Sequence, residues 1–125
     1  STCLPHRLQY PVGAVTKTPH AVGLAALYPA WLKHLSPFAK DKLGKCGGWI
    51  MQKDINTINS LEKYFSENVI NLIEDIGMKK NLKELGVKEK NLKNISDLVD
   101  GSLDTDPSYR DSNDILKIYN ESFNN

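Results

Sequence analysis

Residues 18–35 read TPHAVGLAALYPAWLKHL and form the most apolar part of the chain. Thr18 suits the N-cap of a helix, and Pro19 suits its first position, where a missing N–H loses no hydrogen bond. We therefore expect a helix over residues 20–35. Apolar residues lie on nearly all sides of it, which is typical of a helix at the centre of a larger helical assembly. Pro29 removes one backbone hydrogen bond and should kink or divide this helix.

Helical spacing of apolar residues predicts most of the remaining elements. They are a short helix over Arg7–Val15, a helix over Asn59–Ile76 stopped by Gly77, about one and a half turns over Asn81–Leu85, a helix over Lys88–Val99 stopped by Gly101, and a last helix over Asn113–Phe123 capped by Ser112. Residues 38–48 are polar and Lys-rich and end in two glycines, so we expect a connection there. No strand-like alternation or repeat is found. The sequence predicts an all-α fold.

The chain has 40% hydrophobic residues and a formal net charge of +1. This length and composition are typical of one domain, residues 1–125. Such a charge creates no single-sign field, so we expect no nucleic-acid partner. The longest apolar stretch, residues 21–32, is well short of the roughly 20 residues of a membrane span, so we expect no membrane partner. Cys3 and Cys46 lie far apart without CxxC spacing, which favours a reducing cytoplasm over a disulfide framework.

Histidine is the residue type that points to chemistry. His6 and His20 lie fourteen residues apart, each directly after a proline. Neutral imidazole is the commonest protein ligand for divalent transition metals. The alternative interpretation is an exposed His6 and a His20 that bonds a backbone carbonyl. His34 follows Lys33 at a helix end, where a cation suits the helix dipole, and we expect it on the surface.

Several segments carry a resemblance to a known family. They are PHRLQYPVGA (5–14), TPHAVGLA (18–25), LYPAWLK (27–33), IEDIGMKKNLKELGVKEKNLKNISDLV (73–99) and DPSYR (106–110). The first three resemble the metal-binding signature of the iron-containing alcohol dehydrogenases, and are most similar to their butanol dehydrogenase-like branch. The last two resemble patterns that follow it in the same family.

The resemblance implies both a fold and an activity. The fold is the multi-helical C-terminal domain of a dehydroquinate synthase-like, iron-containing alcohol dehydrogenase. By family analogy His6 and His20 are two of four metal ligands, holding Fe(II) or Zn(II), while an N-terminal α/β domain absent from this chain binds NAD(P)H. The full-length protein would then be an NAD(P)-linked dehydrogenase that interconverts an alcohol and an aldehyde. As a fragment with two ligands, residues 1–125 alone should be inactive.

Three positions depart from the family pattern. Tyr10 stands where the family often has a second histidine near the nicotinamide. Ala21 replaces a glycine and would crowd the backbone beside the metal. Met78 replaces a proline at a turn. The first two bear on whether the activity is altered or lost.

Two other hypotheses are compatible with the sequence. One is a stand-alone helical interaction or dimerisation module that has lost the chemistry, which an initiator Met just before Ser1 would favour. The other is a glycerol dehydrogenase-like relative that uses zinc, against which the Pro-Ala-Trp helix argues. We also expect an exposed apolar face around Trp31 and Leu27, and hence a homo-oligomer or self-association.

Overall fold

The computed structural model describes residues 3–52 and 60–125, and within them the chain is helical with no strand. This confirms the all-α prediction. The α-helices in the described residues are α1 (Leu4–Thr16), α2 (His20–Leu35), α3 (Lys40–Met51), α4 (Leu61–Asp75), α5 (Leu92–Asp97) and α6 (Ser112–Asn124). Short 3₁₀ turns at Ser36–Phe38 and Glu89–Asn91 precede α3 and α5.

Helix α1 is longer than the predicted Arg7–Val15 because it starts three residues earlier. A proline in its first turn is compatible with helix, since the N–H there has no helical partner. Leu4, Leu8 and Val12 recur every four residues, lie on one face and are buried in the core. The helix ends at Thr16, and the C-cap residue Lys17 adopts a left-handed conformation and donates its N–H to the Gly13 carbonyl.

Helix α2 has the predicted bounds and packs against α1, α4 and α6. Its central position explains why apolar residues surround it. Pro29 lies inside one continuous helix, so of the two predicted effects of this proline, a kink or a division, the division does not occur. The N-cap assignment is also wrong by one residue: Pro19 is the N-cap, and the Thr18 hydroxyl bonds the Thr16 hydroxyl rather than a helix N–H.

The prediction of a connection over residues 38–48 is wrong, because α3 begins at Lys40. The glycines that suggested a loop lie inside this helix, where it packs against α4. A Cβ atom on Gly47 would overlap the carbonyl oxygen of Leu61. Gly47 therefore lets two helix backbones approach closely, which outweighs its poor helix propensity.

Helix α4 confirms the predicted amphipathic helix over its described part; Asn59, where the prediction began, lies outside the described residues. Gly77 takes a positive φ of 72° and donates to the Glu74 carbonyl, while the Met78 N–H donates to the Ile73 carbonyl over 2.9 Å. These two bonds form a Schellman motif. A proline in place of Met78 would lack the second donor.

The C-terminal third matches the prediction in outline. Residues 81–85 form hydrogen-bonded turns rather than a helix, and Gly86 follows with a positive φ. The predicted helix over residues 88–99 is shorter, since α5 covers only Leu92–Asp97 after a 3₁₀ turn, and Leu98, just beyond its end, is exposed. Helix α6 begins with Asp111 as its N-cap, accepting from the Asn113 N–H, so the assignment of the cap to Ser112 is wrong.

The core lies where α1, α2, α5 and α6 meet. Leu27 is at its centre with no exposed surface, and Trp31 packs partly buried against it. The predicted exposed apolar face around Trp31 and Leu27 is therefore wrong at Leu27, whereas Trp31 keeps part of its surface exposed. Among the described residues, large apolar side chains are exposed instead on α3 and α4, at Trp49 and Leu72 for example. No described helix combines the length and the apolar character needed to cross a membrane.

Candidate metal centre

His6 and His20 come together although fourteen residues separate them. His6 lies in the first turn of α1 and is half-buried, whereas His20 is the first residue of α2 and is exposed. Their ring centroids are 5.3 Å apart, with the ring planes inclined at 45°. Packing of α1 against α2 thus places both imidazoles at one point on the surface.

The Nδ1 atom of each imidazole already has a partner. His20 Nδ1 lies 2.5 Å from Oε1 of Gln9, and His6 Nδ1 lies 3.3 Å from Sγ of Cys3. A histidine that binds a metal through Nε2 commonly has its Nδ1 engaged in this way. The Cys3 sulfur can donate or accept a hydrogen bond. Its contact with His6 therefore does not determine which nitrogen of His6 carries the proton.

The separation of the two rings fits a shared metal ion. Imidazoles that bind one tetrahedral ion through nitrogens at about 2.0–2.1 Å have centroids roughly 5 Å apart. The 5.3 Å between His6 and His20 agrees with this value. Within residues 3–52 and 60–125, no group of three or more His, Cys, Asp or Glu side chains is arranged to hold a metal. The described residues therefore bring together two imidazoles rather than a whole coordination shell.

Two of the unusual positions of the sequence lie beside this pair. The Tyr10 ring stacks on His20 with 6.1 Å between centroids and 23° between planes, and the tyrosine is 46% exposed. Ala21 is exposed, so its methyl group meets no packed backbone on the surface of α2. Tyr10 is thus placed to contact whatever binds next to His20.

Gln9 is a site residue that the sequence interpretation missed. It is 3% exposed, between α1 and α2, and holds His20 as described above. A signal existed in the sequence, because Gln9 lies one helical turn after His6 and is a polar residue on a helix whose neighbouring positions are largely apolar. Its partner in α2 could not be read from spacing alone.

The third histidine is buried, which overturns the surface prediction for His34. It is 8% exposed, and its Nε2 lies 3.2 Å from the Ser108 carbonyl and 3.2 Å from Oδ1 of Asp114. Both partners come from the C-terminal part of the chain. His34 therefore joins α2 to α6 and takes no part in the pair formed by His6 and His20.

An apolar groove of about 290 Å³ lies between α2, α3 and α4. Its lining consists of Tyr28, Trp31, Leu32, Lys42, Leu43, Cys46, Phe65 and Val69. It contains neither His6 nor His20. Burial, and to a smaller extent the Cys3 thiol, raises the pKa of Tyr28, so its phenol stays protonated at neutral pH.

The chain matches the model of one protein family. The model of the Fe-containing alcohol dehydrogenase family, C-terminal, matches residues 1–123, and the chain belongs to this family. This confirms the resemblance seen in the sequence. The fold is that of the family's C-terminal helical domain.

The fold is also similar to that in a crystal structure of 1,3-propanediol oxidoreductase. The TM-score is 0.86 at 22% sequence identity, over 97% of this chain. The chain spans 32% of the length of that protein. No curated protein matches the sequence of the chain.

Proposed function

We propose that this chain is the C-terminal part of a metal-dependent, NAD(P)-linked alcohol dehydrogenase that interconverts an alcohol and an aldehyde by hydride transfer. The observation that carries the proposal is the approach of His6 and His20, whose rings lie 5.3 Å apart with both Nδ1 atoms engaged. Family membership supports the same class of reaction.

His6 and His20 would supply two ligands to Fe(II) or Zn(II). Both metals accept imidazole nitrogen. When bound, a divalent ion polarises the alcohol oxygen as a Lewis acid. The rings of His6 and His20 lie 5.3 Å apart, and the exposed ring of Tyr10 stacks beside His20.

The remaining parts of the reaction would come from residues outside this chain. The chain spans about a third of the similar oxidoreductase, and the NAD(P)H site would belong to an N-terminal α/β domain. The name of that relative supports a small alcohol or aldehyde as the substrate class. The two cysteines are free, in keeping with a cytoplasmic protein. We further propose a homo-oligomer, supported by the apolar side chains exposed on α3 and α4.

The experiment measures metal content and dehydrogenase activity of the intact protein that carries this chain. His6→Ala and His20→Ala should each lower the bound metal per polypeptide and the alcohol-dependent formation of NAD(P)H. Lys88→Ala, at an exposed residue outside α1 and α2, is the control and should change neither.

The opposite result would also be informative. If both histidine variants kept the wild-type metal content and rate, the metal role of the pair would be wrong. A protein without metal or activity would instead support the hypothesis of a helical interaction module.

A further inference from the structure

Gln9 is a polar side chain in an unusual place. Only 3% of Gln9 is exposed to solvent, and the residue lies where α1 packs against α2. A buried amide is unfavourable unless it is hydrogen-bonded. The Gln9 carbonyl oxygen meets this requirement through His20 Nδ1 at 2.5 Å.

Two glycines make room for this side chain. A Cβ atom on Gly13 of α1 would lie 2.7 Å from Gln9 Nε2, and one on Gly23 of α2 would lie 2.9 Å from Gln9 Cγ. Both separations are shorter than carbon atoms tolerate. The Gln9 side chain is therefore closely flanked by the backbones of both helices.

The contact selects one tautomer of His20. An amide carbonyl oxygen only accepts hydrogen bonds, so the proton of the neutral imidazole must lie on Nδ1. Nε2 then carries the lone pair that a metal ion needs. The same bond also fixes the rotation of an imidazole that is otherwise exposed at the start of α2.

We propose that Gln9 is a positioning residue for the metal site: it holds His20 in the Nδ1–H form and aims Nε2 at the metal. This inference rests on the proposed function, in which His20 is a ligand. Removing such a hydrogen-bond partner of a ligand typically lowers metal affinity by roughly 10- to 100-fold.

The test compares two substitutions in the intact protein. Gln9→Met keeps the length of the side chain and removes the acceptor, while Gln9→Glu keeps an acceptor oxygen. Zn²⁺ affinity is measured by competition with a chromophoric chelator. We expect a loss of roughly 10- to 100-fold for Gln9→Met and retention of most of the affinity for Gln9→Glu.

A second readout does not depend on metal. Long-range ¹H–¹⁵N spectra of the metal-free protein report which nitrogen of His20 carries the proton. Gln9→Met should shift His20 towards the Nε2–H form, and Gln9→Glu should not. A purely structural role of Gln9 would leave this tautomer ratio unchanged.

Gly13→Ala provides an independent route if Gln9→Met fails to fold. Alanine favours helix, but its Cβ would displace the Gln9 amide. We expect weaker Zn²⁺ binding here too. If the folded Gln9→Met and Gly13→Ala variants kept the wild-type Zn²⁺ affinity and His20 tautomer ratio, the inference about Gln9 would be overturned. If His20→Ala still lost Zn²⁺ affinity in that case, the proposed function would stand. Unchanged affinity in both His6→Ala and His20→Ala would instead overturn the proposed function.

Discussion

Trp31 and Asp106, 75 residues apart, are joined by a hydrogen bond of 2.9 Å from the indole Nε1 to the carboxylate Oδ2. The other carboxylate oxygen accepts from the Ser108 backbone N–H at 2.9 Å and from the Ser108 hydroxyl at 2.5 Å. Asp106 and Ser108 are both buried. One buried carboxylate thus ties α2 to the segment that leads into α6.

Asp106→Ala should lower the free energy of unfolding by about 2–4 kcal/mol. The substitution removes the acceptor of three donors, and buried donors without a partner are unfavourable. Urea denaturation measures the change. Asp104→Ala, at an exposed residue of the same segment, is the matched control and should have almost no effect. Equal effects of the two variants would contradict the role given to the Trp31 bond.

Gly47→Ala should destabilise the protein by about 1–3 kcal/mol, although alanine is the better helix former. The added methyl group would meet the Leu61 carbonyl oxygen and push α3 away from α4. Lys45→Ala, exposed on the same helix, should be close to neutral. Thermal unfolding of the two variants checks this prediction. A more stable Gly47→Ala variant would show that the helices are not held at close distance.

Asp111→Ala should lower the free energy of unfolding by about 1 kcal/mol, the usual effect of losing an N-cap. Its carboxylate accepts from the Asn113 N–H at 2.8 Å. Ser112→Ala should change stability by less than about 0.5 kcal/mol, because its side chain is exposed and forms no cap. Chemical denaturation of both variants distinguishes them. The reverse order would restore Ser112 as the cap.

Stability should fall at alkaline pH through Tyr119. Burial raises the pKa of this phenol far above its usual value, so the folded protein keeps a proton that the unfolded chain releases near pH 10. The stabilising contribution is fully present below about pH 10 and is lost as the pH rises towards the folded pKa.

Tyr119→Phe should remove this part of the pH dependence. The variant also loses the hydrogen bond from the phenol to the Leu8 carbonyl, about 1 kcal/mol at neutral pH. Above about pH 10 its disadvantage should shrink by up to about 1.4 kcal/mol per pH unit. Denaturation of both proteins between neutral and alkaline pH measures this difference. A constant difference would mean that Tyr119 ionises equally in both states.

Much of the fold was predictable because local signals and tertiary packing agree. Helix α2 combines a proline at its start with an uninterrupted apolar sequence, and both of its predicted bounds are confirmed. Helix α3 was not predictable, since its glycines lower helix propensity. Gly47 is needed only because the Leu61 carbonyl oxygen packs closely against it. Sequence spacing contains no information about that approach.

The residues of the candidate site were also predictable only in part. Spacing and resemblance selected His6 and His20, and the structure brings the two rings together. His34 was placed wrongly because its neighbour Lys33 suggested a solvated helix end, whereas its partners Ser108 and Asp114 come from a distant part of the chain. The role of Gln9 likewise depends on a contact across two helices.

The hydrogen bond from Tyr119 to Leu8 has a consequence for synthesis of the protein. The two residues are 111 positions apart, so Leu8 leaves the ribosome well before its partner exists. At usual translation rates the delay is about 5–20 s. During that time α1, whose residues Leu4, Leu8 and Val12 belong to the core, lacks its contacts with α5 and the hydrogen bond from Tyr119. The packing of α1 against the rest of the chain should therefore be completed only after Tyr119 has emerged.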